Sequence, residues 1–214
     1  MAEMIKLWGR ATSSNVQKVV WTLEELGIAY ERIDVGGKFG GLDTPEYGQL
    51  NPNRLVPAFQ DGDLNLWESH AIVRYLAATY GTDSLWHADP AQRAASDQWT
   101  DWTSSTFQPA WLAIFGYFVR TPPQARDAEV LKAAVQKAVA AYEIIERNLA
   151  DKPFLTGDTL SYADIVAGTS LYRWTTMDID RPVLPNVDAW HQRLLARPAF
   201  TKSVCVPYGE MLAK

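Results

Sequence analysis

The sequence predicts two domains in series, a mixed α/β unit of order βαβ-ββα followed by an all-α unit. Three observations carry this reading. Over residues 1–81, short runs of alternating apolar and polar residues bracket segments of helical spacing. An Asp61-Gly62 pair separates two such runs and marks a hairpin. Beyond residue 90 the only sustained periodicity is helical. The expected boundaries are 1–81, a linker over 82–89, and 90–214.

The elements follow in order. "MIKLW" alternates and predicts a first strand. "NVQKVVWTLEELG" puts Val16, Val19, Val20, Leu23 and Leu26 at helical spacing and ends on Gly27. "AYERIDV" alternates again, which completes a βαβ unit with a right-handed crossover. "GGKFGGLDTPEYGQLNPN" is loop, with a short helix over 44–50. "LVPAF" and "DLNLWE" are the hairpin strands around Asp61-Gly62. "SHAIVRYLAATYG" closes the domain as a helix, with Ile72, Val73, Leu76 and Tyr80 on one face and Gly81 as its stop. After the linker, Asp89-Pro90 opens a helix that runs towards Val119 and bends at Pro109. Thr121-Pro122-Pro123 opens another, in which Leu131, Val135, Ala138, Tyr142, Ile145 and Leu149 repeat at helical steps. In "TGDTLSYADIVAG", Ser161 and Asp164 form a capping box flanked by Leu160 and Ile165 at the staple positions, a folding signal.

Composition removes several function classes. An apolar share of 47% with 21% charged residues describes a soluble globular protein. The net charge of −5 speaks against nucleic acid as the main partner. Cys205 is the single cysteine, so neither an internal disulfide nor a Cys-based zinc cluster can form, and the three histidines are scattered; no metal is expected. "MAEMIKLWGR" lacks a signal peptide's apolar segment and no run reaches membrane-spanning length, so a cytoplasmic location is expected.

The stretch "NRLVPAFQDGDLNLWES" places a proline at the mouth of the third strand and a carboxylate-hydroxyl pair where the fourth ends. That arrangement resembles the thioredoxin-like domain. With helices behind it, the chain resembles the cytosolic glutathione S-transferases, serine-type and similar to bacterial theta and phi members. The resemblance rests on "SSNVQKVVWTLEELGI", "LNPNRLVPAFQDGDLNLWESHAIVRYL" and "SYADI", in this order and at these separations.

The resemblance implies a cis Val56-Pro57 bond, an isomer that costs little only before proline. The Val56 N–H and C=O then leave the ladder, and an extended peptide can pair with them as an added strand would. Glutathione, the implied co-substrate, would lay its cysteinyl unit there. Glu68 would offset the γ-glutamyl ammonium. Ser69, taken as the N-cap, would meet the γ-glutamyl carboxylate with its hydroxyl and the positive helix end. Considered alone, the pair reads as a helix cap beside a surface charge. A free thiol has a pKa of about 8.5, so the site must favour the thiolate, which a hydroxyl donating to sulfur does. Aligning Val19 and Gly27-Ile28 with serine-type members puts that hydroxyl on Ser13, with Thr12, Ser14 and Asn15 as rivals. Arg54 stands where many relatives have glycine, and Leu55 where many have lysine or glutamine. The glycyl carboxylate therefore falls to Arg54, Lys38 or Arg10.

The stretch over 97–120 carries two apolar stripes, Trp99–Trp102–Ala110–Ala113–Tyr117 and Phe107–Trp111–Phe115–Phe118. By resemblance the second, with Tyr172 or Tyr208, lines a pocket for a small hydrophobic electrophile; a helix buried all round or at a dimer contact is the competing reading. The resemblance further implies a homodimer, with acidic groups near Asp97 or Asp101 reaching the partner's glutathione. Two other functions stay open: a specialised glutathione-dependent lyase, isomerase or dehalogenase, and a non-catalytic binding module of the same fold.

Overall fold

The computed structural model describes residues 4–82 and 84–214; residues 1–3 of the expected first domain and Asp83 of the expected linker lie outside the described residues. The N-terminal part runs β1 (Ile5–Trp8), α1 (Ser14–Glu25), β2 (Tyr30–Ile33), α2 (Pro45–Leu50), β3 (Ala58–Asp61), β4 (Leu64–Trp67) and α3 (Ser69–Tyr80). The strands form one sheet of order β2-β1-β3-β4, parallel between β1 and β2 and antiparallel elsewhere.

Burial explains why these segments settle as they do. Val16, Val19 and Leu23 of α1 and Ile72 and Leu76 of α3 cover the sheet residues Ile5, Leu7 and Phe59. Each such side chain contributes about 1.5–3 kcal/mol on leaving water. The opposite face of α1 is buried too. Trp21 meets Phe200 edge-on at 4.8 Å, and a Cβ on Gly168 would stand only 2.8 Å from Leu194 Cδ1 and 3.3 Å from the Trp21 ring.

Three local expectations need correction. β3 starts at Ala58, so Val56-Pro57 precede the strand rather than belong to it. Asp61 pairs with Leu64, so the hairpin loop is Gly62-Asp63; Gly62, at φ +56°, takes the first loop position, as a type II′ turn requires. Tyr80 leaves the buried face of α3, which Ala77 occupies instead, and its hydroxyl donates to Asp61 at 2.5 Å.

Behind these elements come α4 (Pro90–Trp102), α5 (Gln108–Arg120), α6 (Ala128–Asn148), α7 (Tyr162–Gly168), α8 (Leu171–Thr176), α9 (Pro185–Leu195) and α10 (Pro198–Val204). Asp89 caps α4 through the Ala91 and Gln92 N–H groups, both at 3.3 Å. The expected bend at Pro109 is a π-helical turn over Thr103–Phe107, and Pro109 sits in the first turn of α5, where its missing N–H costs no hydrogen bond. Thr121-Pro122-Pro123 leads only into a 3₁₀ turn; α6 begins after Asp127, whose carboxylate accepts the Glu129 N–H at 2.9 Å. The box at Ser161 forms, with the Ser161 N–H donating to Asp164 at 3.0 Å, and Leu160 and Ile165 are both buried. Among the described residues no helix is long and apolar enough to cross a membrane.

Candidate active site

Sheet register assembles the site. Trp8 pairs with both Ile33 and Ala58, and Ala58 pairs with Trp67. One row across the sheet therefore ends four connections together: the 9–13 loop after β1, the 34–44 loop after β2, Val56-Pro57 before β3, and Glu68-Ser69 after β4. Residues far apart in sequence meet at this sheet end.

The Val56-Pro57 peptide bond is cis. Among the described residues, the Val56 main-chain N–H and C=O make no hydrogen bond. The carbonyls on either side are occupied: Leu55 O accepts from Tyr47 Oη at 2.7 Å and Asn51 Nδ2 at 2.8 Å, and Pro57 O accepts from Asn51 Nδ2 at 3.4 Å.

Glu68 is exposed and Ser69 is buried. The N-cap position falls on Glu68, not Ser69, which is the first residue of α3. Glu68 adopts φ 71° and ψ 109°, a backbone region that side chains rarely enter and that tertiary surroundings must impose.

Ser13 is the N-cap of α1, yet its hydroxyl makes no cap bond. It is half-buried and lines a cavity of about 430 Å³ with Thr12, Ser14 and Arg10. The rivals differ. Asn15 is engaged, its Oδ1 accepting from Lys18 Nζ at 3.1 Å and Gln108 Nε2 at 3.2 Å. Thr12 and Ser14 are buried, and the Thr12 carbonyl accepts from Arg173 at 2.5 Å.

Of the cations considered for the glycyl carboxylate, Arg54 sits at φ 54° and braces the 34–44 loop, donating to Leu42 O at 2.9 Å and Thr44 O at 3.1 Å. Lys38 pairs with Glu210 at 2.6 Å. The Arg10 side chain packs along Gly37 and, among the described residues, makes no hydrogen bond or ion pair.

The aromatic stripe is divided. Phe107 and Trp111, 0% and 2% exposed, belong to the helical core and do not line the cavity; Phe118 lies outside it as well. Phe115 does line it, beside Leu112, Ala113, Gly116 and Val119. The core face of this region is Ser96, Thr100, Thr103, Phe107, Trp111 and Ile114, which leaves Trp99 and Trp102 only half-buried. Tyr208 packs edge-on against Phe115 at 5.3 Å, and Tyr172 lies behind it at 6.0 Å. Asp97 and Asp101 are held within the chain by Arg74, at 2.6 and 2.5 Å.

Two groups escaped the sequence reading. Arg173 is buried in α8, its guanidinium 4.1 Å from the Phe115 ring centroid. Lys18 is fully buried on α1 and donates to His70 Nε2 at 2.8 Å, to Asn15 and to Gln108. Burial pushes the Lys18 ammonium down to about 7, opposed by the Glu68 carboxylate and reinforced by Arg173. Burial, with Lys18 and Arg74, also holds His70 well below its usual value, so its ring is neutral and accepts the lysine proton. At helical spacing Lys18 has Ser14, Asn15, Trp21 and Thr22 as neighbours and Arg173 has Thr169, Ser170, Thr176 and Met177, so neither interrupts an apolar stripe and the sequence carried no signal for them. Among the described residues no group of three or more His, Cys, Asp or Glu is placed to hold a metal ion.

Known proteins resemble this chain over nearly its whole length. The family described as "Glutathione S-transferase, N-terminal domain" matches residues 3–78, and "Glutathione S-transferase, C-terminal domain" matches residues 104–198. Glutathione S-transferase GstB of Escherichia coli is 41% identical over 206 residues, covering 95% of this chain and 99% of its own. A probable glutathione S-transferase of Oryza sativa, GSTF2, is 35% identical, covering 94% and 96%. Among solved structures, the theta class glutathione S-transferase of Xanthomonas axonopodis pv. citri with glutathione bound superposes at a TM-score of 0.92, with 46% identity over 97% of this chain and 99% of that one. With a register-built site at the sheet end and whole-length likeness to these proteins, the chain belongs to the glutathione S-transferase family.

Proposed function

We propose that the chain is a glutathione transferase that adds the glutathione thiolate to small electrophiles with an apolar body. Residues 1–81 hold glutathione, and residues 90–214 supply the wall for the electrophile. The observation that carries this is the free Ser13 hydroxyl, which lines the cavity shared with Phe115 and stands at the sheet end that also bears Val56 and Glu68-Ser69. Val56 pairs with the cysteinyl main chain. Glu68 offsets the γ-glutamyl ammonium, and Ser69 with the first turn of α3 receives the carboxylate. Arg10, with Lys38 near it, meets the glycyl carboxylate. Ser13 donates to sulfur, and the start of α1 adds its positive end; both favour the anion.

In the reaction the thiolate pair forms a C–S bond as the leaving group departs with its own pair, or as a conjugated double bond takes up the electrons. Leu112, Phe115 and Val119 position the apolar body and exclude water. The reading includes a cytoplasmic homodimer, which light scattering of the purified chain at micromolar concentration would register as twice the chain mass.

Calorimetric titration with glutathione, followed by turnover of aryl and alkyl halides under ultraviolet detection, tests the proposal. Micromolar-to-millimolar binding with turnover is expected. Absence of binding would leave only a non-catalytic module, and binding with no turnover of a standard aryl halide would favour the specialised lyase, isomerase or dehalogenase.

A further inference from the structure

We infer that the electrophile this site takes carries an acidic group, held by Arg120 and Arg173. The inference rests on the transferase reading and names the substrate class of that same cavity.

The cavity that Ser13 lines contains three guanidinium groups, Arg10, Arg120 and Arg173, and no carboxylate. That concentration of positive charge occurs in a chain whose net charge is −5. A pocket meant for neutral apolar molecules has no use for it, since an uncompensated charge beside an apolar wall is costly to keep desolvated.

Each arginine is short of a countercharge. Among the described residues, the guanidinium groups of Arg10 and Arg120 make no hydrogen bond or ion pair. Arg173 is 3% exposed and has a single hydrogen bond, from Nη2 to Thr12 O, although a guanidinium carries five N–H donors. Three aromatic rings surround it, with Trp111 at 5.7 Å, Phe115 at 4.1 Å and Tyr208 at 6.0 Å. Burial lowers its pKa to about 10; Tyr208 opposes this, and the Arg10 charge adds to it. Two like charges that sense each other across a cavity are relieved by an anion placed between them.

Glutathione does not exhaust these cations. Of its two carboxylates, the γ-glutamyl one goes to Ser69 and the start of α3. The glycyl one goes to Arg10, which with Lys38 lines a second cavity of about 250 Å³ beside the first. Arg120 at the end of α5, the helix that carries the electrophile wall, and Arg173 on α8 remain. Their planar forks suit a carboxylate. Leu112, Phe115 and Val119 suit an aryl or short alkyl body. The class is therefore an acid-bearing halide, such as a chloronitrobenzoate. The thiolate sulfur adds to the ring carbon that bears chlorine, the nitro-substituted ring holds the electron pair, and chloride then leaves with the C–Cl pair. The carboxylate takes no part in the bond changes and only orients the ring.

The test compares 4-chloro-3-nitrobenzoate with 4-chloro-3-nitrobenzamide at saturating glutathione, each enzymatic rate divided by the uncatalysed rate. In the intact chain the benzoate is expected to win by at least about tenfold in kcat/KM, the size of one well-formed charge pair. Arg120→Gln, an exposed position that leaves the core alone, should shrink that preference to about threefold or less, chiefly through the KM for the benzoate. Glutathione affinity, measured on the same variant by calorimetry, separates the possibilities. A rise in the glutathione dissociation constant, with both probes losing rate alike, would show that Arg120 serves the tripeptide and would overturn the inference. Equal corrected rates for the two probes in the intact chain would overturn it too, with the transferase reading still standing. Failure of the intact chain to bind glutathione would remove both.

Discussion

Ser13 is a helix cap whose hydroxyl does no capping. Replacing it should therefore cost the fold little and the chemistry much. Ser13→Ala is expected to lower kcat by roughly 10²–10³, the range for losing one preorganised donor, with a stability change below about 1 kcal/mol. Steady-state kinetics beside thermal melting check both halves, and a loss under about tenfold would pass the role to Thr12 or Ser14. Glu68, proposed to offset the γ-glutamyl ammonium, presents the reverse case, a residue in a costly backbone geometry. Glycine enters φ > 0 freely. Glu68→Gly should thus raise stability by about 1 kcal/mol, roughly 2–4 °C in melting temperature for a chain of this size. The glutathione KM should rise about tenfold or more as the countercharge goes. A variant less stable than its parent would show that the geometry at residue 68 carries no strain.

At the scale of elements, the box that opens α7 is also a junction. The Asp164 carboxylate accepts the Leu155 N–H at 2.9 Å, the Ser161 N–H and Oγ both at 3.0 Å, and Trp190 Nε1 at 3.1 Å. It thereby ties α7, the 155–161 loop and α9. Burial raises its carboxyl to about 6, against four donors that favour the anion. An amide cannot accept all four, because its nitrogen would face a donor. Asp164→Asn should lower unfolding free energy by roughly 2–4 kcal/mol with transferase kinetics intact in the folded fraction. Urea titration measures this, and a loss below about 0.5 kcal/mol would remove Asp164 from that role. The interrupted α4–α5 segment shows another effect of element geometry. Its π turn and its small core-facing residues Ser96, Thr100 and Thr103 send Trp99 and Trp102 outward, so Trp102 stacks on Phe107 at 5.3 Å instead of entering the core.

The two halves of the molecule meet across Lys18, which joins α1 to His70 of α3 and to Gln108 of α5. Its folded pKa of about 7 lies below the ordinary 10.5. Between those values the unfolded chain holds a proton that the folded chain has released, so this group makes stability rise as pH rises through that window. Unfolding free energies from urea titration at pH 7 and about 9.5 should differ by roughly 1–3 kcal/mol more in the native chain than in Lys18→Met. Equal pH slopes in the two chains would mean that Lys18 keeps its charge when folded.

Short-range signals in the sequence were sufficient for element order, for Asp89 and Ser161 as helix caps, and for Val56-Pro57 and Glu68-Ser69 as noteworthy pairs, because period, capping and proline chemistry act within a few residues. Hairpin register, the start of α6 and the face of α5 were not settled at that range. Gly62 shifted the turn by one residue, Asp127 outcompeted the prolines, and the π turn, which ends at Phe107, broke the phase of the Trp99–Trp102–Ala110–Ala113–Tyr117 stripe. The arginine-lined cavity lay further out of reach. Arg10, Arg120 and Arg173 stand far apart in the chain and become one charge cluster only through packing. Sequence alone determined the order of elements and the Val-Pro and Glu-Ser pairs at their ends; tertiary structure decided which charges share the cavity with Ser13, since Coulomb interactions depend on distances that only the folded chain sets.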